Sequence, residues 1–339
     1  MSHSMCPTLA YAKGVVMFMH KPLASWDVAV TAYLTSRHAL GRVYKKEEII
    51  LDNVRAFLVK ADAIDLDQQL FDQWREPFYR LSPSTRVVRE HTVYNFCRYR
   101  RRSEADCFLP DPGSFARQHP QPLPTLIEHE QIVELLSYVS LLRPRPHEAL
   151  RPAVLRLAII LLYTTGLRRG ELVRLTLADV DARQGVLFIC GSKFHKSRWV
   201  PLSSSVGSEL RQYLTLRRDA GFDNRDSAPL LCNVRGRAYT GGAFYSSLKK
   251  LLVAAGIRDR SGHYPCTQDF RHSFAVAALL RWYENDDDVQ VNLPKLALYM
   301  GHVSIVSTAY YLRLMPAVIA HASERFERSC AQVLDGGAS

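Results

Sequence analysis

In the first third of the chain, apolar positions recur at three- and four-residue intervals. Between Lys46 and Val59 they fall at Ile49, Leu51, Val54, Phe57 and Leu58, the period of a helix with one buried face. Ala24 to Ala39 reads as a helix stopped by Gly41, and Asp65 is placed to cap the next, LDQQLFDQWREPF. Ser82 and Pro83 then open a long basic helix, TRVVREHTVYNFCRYRRR. The stretch that follows, SEADCFLPDPGSFARQHPQPLPT, carries prolines at 110, 112, 120, 122 and 124. They forbid a helix and favour an extended linker. The pattern therefore predicts an N-terminal extension over 1–21, a helical domain over 22–102, a linker over 103–124 and a second domain over 125–339.

Past the linker the period stays mostly helical: Glu128 to Leu142, then the almost wholly apolar run Val154 to Tyr163. Gly185–Cys190 and Arg198–Leu202 instead alternate, as two strands joined by the hairpin GSKFHKS. Helices are expected near 206–219, 242–255, 269–283, 293–300, 304–312 and 316–328. The fold class is mainly α with a small β-sheet, an α+β chain of two domains. There is no tandem repeat and no low-complexity tract.

Charge narrows the possible partners. Forty-four Lys and Arg against 33 Asp and Glu leave a net charge of +11, which suits a polyanion, nucleic acid before an anionic membrane surface. Seven scattered cysteines, odd in number and without a C-x-x-C pair, read as reduced thiols. The N-terminal apolar patch is broken by Lys13 and His20 and has no signal-peptide layout, so a cytoplasmic protein is expected.

Within the second domain, TTGLRRGELVRLTLADVD places Arg168 and Arg169 at the start of a helix, where the backbone dipole is already positive. An anion there would relieve the conflict. Glu171, one turn on, is placed to orient Arg168 or simply to answer the dipole. Further basic or polar islands follow in order: Lys193, with Lys196 beside it, in the hairpin, Arg271-His272 in QDFRHSFA, and His302 in MGHVSIVSTAYYL, which also holds Tyr310 and Tyr311. His263 and Cys266, even with His272 and His302, complete no known zinc ligand set, so no metal or cofactor is expected.

That order resembles the tyrosine recombinase (integrase) family from about Pro124 to Arg328. TGLRRGEL is similar to its first arginine box, KFHKSRWVPL to its lysine hairpin, DFRHSFA to its second arginine box and MGHVSIVSTAYYL to its histidine-to-tyrosine segment. The resemblance implies a helical core-binding domain and a catalytic domain closing on duplex DNA as a C-shaped clamp. It implies Arg168 and Arg271 on the scissile phosphate and Lys193 as the acid for the leaving 5′-hydroxyl. Tyr311, nine residues after His302, would be the nucleophile that forms a 3′-phosphotyrosine. A phenol ionises near pH 10, so Tyr311 must give up its proton as it attacks. The family commonly has His-x-x-Arg in its second box, whereas this chain has Gln268-Asp-Phe-Arg271. A glutamine amide can bond to phosphate but cannot take up a proton, which leaves the acceptor of the Tyr311 proton open.

The expected function is site-specific DNA recombination for integration or excision of a mobile element, in the bacterial nucleoid. A catalytically silent DNA-binding protein of the same fold and a type IB topoisomerase are the alternatives. Arg86, Arg89, Arg98, Arg100, Arg101 and Arg102 on the basic helix are expected to grip DNA, with Arg86, Arg89 and Arg100 close together on one arc. Val318, Ala322 and Phe326 form a stripe on a last helix suited to a neighbouring protomer, so self-association, a tetramer on DNA, is expected as well.

Overall fold

The computed structural model describes residues 21–117, 124–143, 148–191, 197–259, 262–302 and 304–313. The chain divides into two compact units, Met1–Gln121 and Pro122–Ser339.

In the first unit four helices, α1 (Lys21–Ala39), α2 (Lys45–Lys60), α3 (Gln68–Arg75) and α4 (Pro83–Arg100), enclose an aromatic core. Trp26, Tyr33, Leu51, Phe71, Trp74 and Phe96 are buried in it, and Trp26 meets Phe96 edge-on at 4.9 Å. Asp67, not Asp65, caps α3 by accepting from the Leu70 amide at 2.7 Å. Asp65 is engaged elsewhere: it takes a two-pronged bond from Arg100, at 2.8 and 2.7 Å, and Glu104 takes another at 2.6 Å.

Arg100 thus departs from the expected DNA-binding arc. It is only 5% exposed, because Val93, Phe96, Cys97 and Arg100 recur at helical spacing along the buried face of α4. Its replacement by methionine removes the guanidinium that lies over Trp26 and leaves two part-exposed carboxylates without their cation. This is expected to cost the unit about 2 kcal/mol. Urea unfolding followed by tryptophan fluorescence would read it, with Arg98→Ala, on the exposed side of α4, within about 0.5 kcal/mol of the parent.

The expected linker is also corrected over its first half. Cys107 and Phe115 are buried in the core of the first unit. The Ala116 amide bonds to the buried Glu90 carboxylate at 3.1 Å, and Arg75 donates to the Ser114 carbonyl at 3.1 Å. Prolines exclude α-helix there, leaving a 3-10 turn at Pro112–Ser114, but do not prevent apolar side chains from packing.

In the second unit α5 (His129–Leu141) is followed by α6 (Arg151–Thr165), apolar on nearly all sides and accordingly central. A single helical turn, α7 (Arg169–Leu172), follows. Three antiparallel strands come next in sequential order, β1 (Val180–Asp181), β2 (Val186–Ile189) and β3 (Arg198–Pro201). The short β1, paired through Val180 to Leu187, was not expected from the alternation. Helices α8 (Ser204–Asp219), α9 (Gly241–Ala254), α10 (Thr267–Glu284) and α11 (Val289–Met300) complete the frame. The expected helix over 304–312 is one turn, α12 (Val306–Ala309), followed by a 3-10 turn at Tyr310–Arg313. The expected helix over 316–328, with Val318, Ala322 and Phe326, and the extension over 1–20 lie outside the described residues.

Candidate active site

Two helix ends build the site. Helix α6 stops at Gly166 and α11 at Gly301, each in the left-handed conformation that a residue with a side chain rarely adopts. Glycine is needed at both for a second reason. A Cβ on Gly166 would lie 2.5 Å from the Phe274 ring, and one on Gly301 would lie 2.8 Å from the Arg198 guanidinium. The carbonyls left over at these ends carry the negative pole of each helix and attract cations.

Three arginines occupy them. Arg271, 1% exposed on α10, donates to the Gly166 carbonyl at 2.5 Å and to the Met300 carbonyl at 2.7 Å. Arg168 donates to the Gly301 carbonyl at 3.1 Å, and Arg198 on β3 donates to the Tyr299 carbonyl at 2.7 Å. Glu171 ties two of them together: its carboxylate accepts from Arg168 at 2.8 Å and from Arg198 at 2.9 and 3.2 Å. Burial pushes the Glu171 carboxyl up, but Arg198 and then Arg168 outweigh it and hold it at about 2. The conflict between Arg168 and the α7 dipole is thus answered within the chain. Arg168 still keeps part of its guanidinium open, while burial and the facing Arg168 draw Arg271 down to about 10, still a cation at neutral pH.

Tyr311 sits against this cluster, 3% exposed, with its neighbour Tyr310 turned outward at 40%. Burial raises the Tyr311 phenol, and Arg271 and Arg168 pull against that rise. The His302 ring stacks on Tyr311 at 6.4 Å and 20°, with its Nδ1 2.6 Å from the Thr308 hydroxyl. Burial, and then Arg271 and Arg168, hold His302 down at about 4, so it is neutral at pH 7. His272 places its Nδ1 3.1 Å from the Tyr311 hydroxyl.

Of the residues singled out in the sequence, Arg168, Arg271, His302 and Tyr311 therefore come together. Gln268 lies on the same helix as Arg271, with its side chain exposed. Lys193 and Lys196 lie outside the described residues. Sequence reasoning missed Arg198, Thr308 and the contact of His272. Arg198 carries a legible signal: it is two residues from the inward Val200 in a strand, hence on the same face, with Trp199 pointing out. Among the described residues no group of three His, Cys, Asp or Glu side chains is arranged to hold a metal ion.

On the first unit, Arg86 stacks over Tyr79, Arg89 over Phe78, Arg98 over Tyr94 and Arg102 over Tyr99. Arg101 spends its Nε–H on the Cys107 carbonyl at 2.8 Å but is otherwise exposed. Among the described residues no helix is long and apolar enough to cross a membrane.

Residues 126–317 match the Phage integrase family. A Sinorhizobium fredii protein named "Putative integrase/recombinase y4rB" is 33% identical over 308 residues, covering 90% of this chain and 98% of its own. Tyrosine recombinase XerD of Proteus mirabilis is 32% identical over 194 residues, covering 57% of this chain and 56% of its own. Two solved structures share the fold. XerH site-specific recombinase bound to palindromic difH substrate as a post-cleavage complex has a TM-score of 0.61 at 20% identity, covering 82% of this chain and 78% of that one. The Tn1549 transposon integrase in complex with transposon right end DNA has a TM-score of 0.62 at 16% identity, covering 88% and 98%. The chain belongs to the phage integrase family of tyrosine recombinases, enzymes that cut and rejoin DNA strands through a tyrosine.

Proposed function

We propose that this chain is the site-specific recombinase of a mobile DNA element and that Tyr311 is its nucleophile. The observation that carries the reading is the meeting of Arg168, Arg271 and His302 around one buried phenol, drawn from segments far apart in the chain. Arg168 meets the scissile phosphate from the open side, and Arg271 supports it from the buried side. His302 donates from Nε2, the ring nitrogen left free by Thr308. As the Tyr311 oxygen bonds to phosphorus, charge grows on the non-bridging oxygens, and fixed cations favour that state over the ground state. The bond to the 5′-oxygen breaks, Lys193 protonates the leaving hydroxyl, and a 3′-phosphotyrosine conserves the bond energy for rejoining to a second strand.

Arg86, Arg89, Arg98, Arg101 and Arg102 of the first unit track the phosphates. Four protomers assemble on paired sites in the cytoplasm, at the nucleoid. The mobile-element role draws on relatives named for integration and on the Tn1549 integrase bound to transposon end DNA.

Nicked duplexes drawn from the DNA flanking the gene test the reading. A covalent adduct that survives SDS, maps to the peptide containing Tyr311 and persists in EDTA is expected, because guanidiniums supply the charge. Tight binding without an adduct would instead favour a silent DNA-binding protein, and a requirement for a divalent ion would overturn the arginine mechanism.

A further inference from the structure

Gln268, in the second arginine box, cannot ionise, and its side chain is exposed. One helical turn later on α10, His272 stands where Gln268 does not, with its Nδ1 3.1 Å from the Tyr311 hydroxyl. We propose that His272 is the general base that accepts the Tyr311 proton. The inference rests on Tyr311 being the nucleophile.

Ring geometry separates the two histidines beside the phenol. A ring nitrogen accepts a proton through a lone pair in the plane of the ring. The His302 ring lies nearly parallel to that of Tyr311, at 20° and 6.4 Å, and its Nδ1 is already held by Thr308. The His272 ring is tilted by 59° and directs a nitrogen edge at the phenolic oxygen. Asp269 and Arg271 on its own helix and Tyr311 on the last turn are the titratable or charged groups facing His272, with His302 and Arg168 beyond the phenol. Burial holds the imidazole below its ordinary value, so it is neutral and able to accept at pH 7; Asp269 offsets Arg271 once it is charged. The step balances: the proton passes from the Tyr311 oxygen to Nδ1 as that oxygen bonds to phosphorus and the 5′-oxygen leaves. In rejoining, the imidazolium returns the proton to the departing phenol.

The discriminating variant is His272→Asn. An asparagine oxygen occupies nearly the position of Nδ1, so it keeps a hydrogen bond to Tyr311 yet cannot take a proton. With the nicked duplexes described above, single-turnover adduct formation at pH 7 is expected to fall about 100-fold, the low end for general-base assistance, at unchanged DNA binding. In the wild type the rate should be lost as the pH falls through the range in which His272 protonates. That limb should be absent in His272→Asn. Imidazole added to His272→Ala should restore adduct formation. An Asn variant as fast as wild type, or one that is slow but keeps the acid limb, overturns the proposal and leaves Tyr311 in place. Absence of any wild-type adduct overturns the strand-transfer reading as well. A measurement that needs no variant to fold is the histidine nitrogen NMR spectrum of the wild-type chain: a bare Nδ1 with the proton on Nε2 supports the proposal, and a protonated Nδ1 overturns it.

Discussion

Tyr311→Phe should bind DNA as tightly as the parent and form no covalent adduct, while Tyr310→Phe forms it at close to the parental rate. The change removes a single oxygen. The Tyr311 ring belongs to a cluster with Ala275, Leu279 and Met300, so phenylalanine fills the same space. Loss of the bond to His272 should cost only about 1 kcal/mol of stability. The loss of chemistry, by contrast, is complete, because the oxygen removed is the one that attacks phosphorus. Tyr310 is spared because its ring points outward and meets Tyr311 at its edge, 6.0 Å away. SDS-resistant complexes on nicked duplexes read the adduct, and gel retardation reads binding. If the two variants exchange behaviours, the nucleophile is Tyr310.

The second large effect is expected at Glu171. Replacing it with glutamine leaves two guanidiniums facing a neutral amide in a site where Arg198 is nearly as buried as the carboxylate was. Breaking one side of such a pair costs about 3–5 kcal/mol, chiefly as the penalty of a stranded charge. Combining Glu171→Gln with Arg198→Met should therefore return about 2 kcal/mol of that loss. Urea unfolding of the four chains of this double-mutant cycle checks it; simple addition of the two single effects would mean that Glu171 and Arg198 are not coupled. The sign with pH follows from the depressed carboxyl. Its contribution is full above the ordinary value of 4.5 and is lost as the pH falls from there toward about 2. Neutral-pH stability therefore includes all of it.

Helical period located the main helices because each buries one broad face, and the apolar run of α6 was legible for the opposite reason, being buried on nearly every side. The chemistry-bearing residues were legible through their order along the chain. Contacts were not. Period reveals which face is buried but not which polar side chain is paired there, so Arg100 looked like one more exposed arginine until Asp65 and Glu104 came within reach. Prolines marked 103–124 as an extended linker, and Cys107 and Phe115, too far apart to show a period, did not reveal that the segment packs. The nitrogen edge of His272 toward Tyr311 depends on how α10 meets the last turn, a rotation that no local pattern encodes.

The arginines of the site are seated on main-chain oxygens, those of Gly166, Tyr299, Met300 and Gly301. Every amino acid brings the same carbonyl, so the side chains of α11 can drift without emptying these seats. What evolution must preserve is the residue at which the helix ends. One residue inserted into or deleted from α11 would turn its terminal carbonyls by about 100° and shift them by about 1.5 Å. Along α11 the reading frame of the helix, more than its spelling, is the inherited quantity.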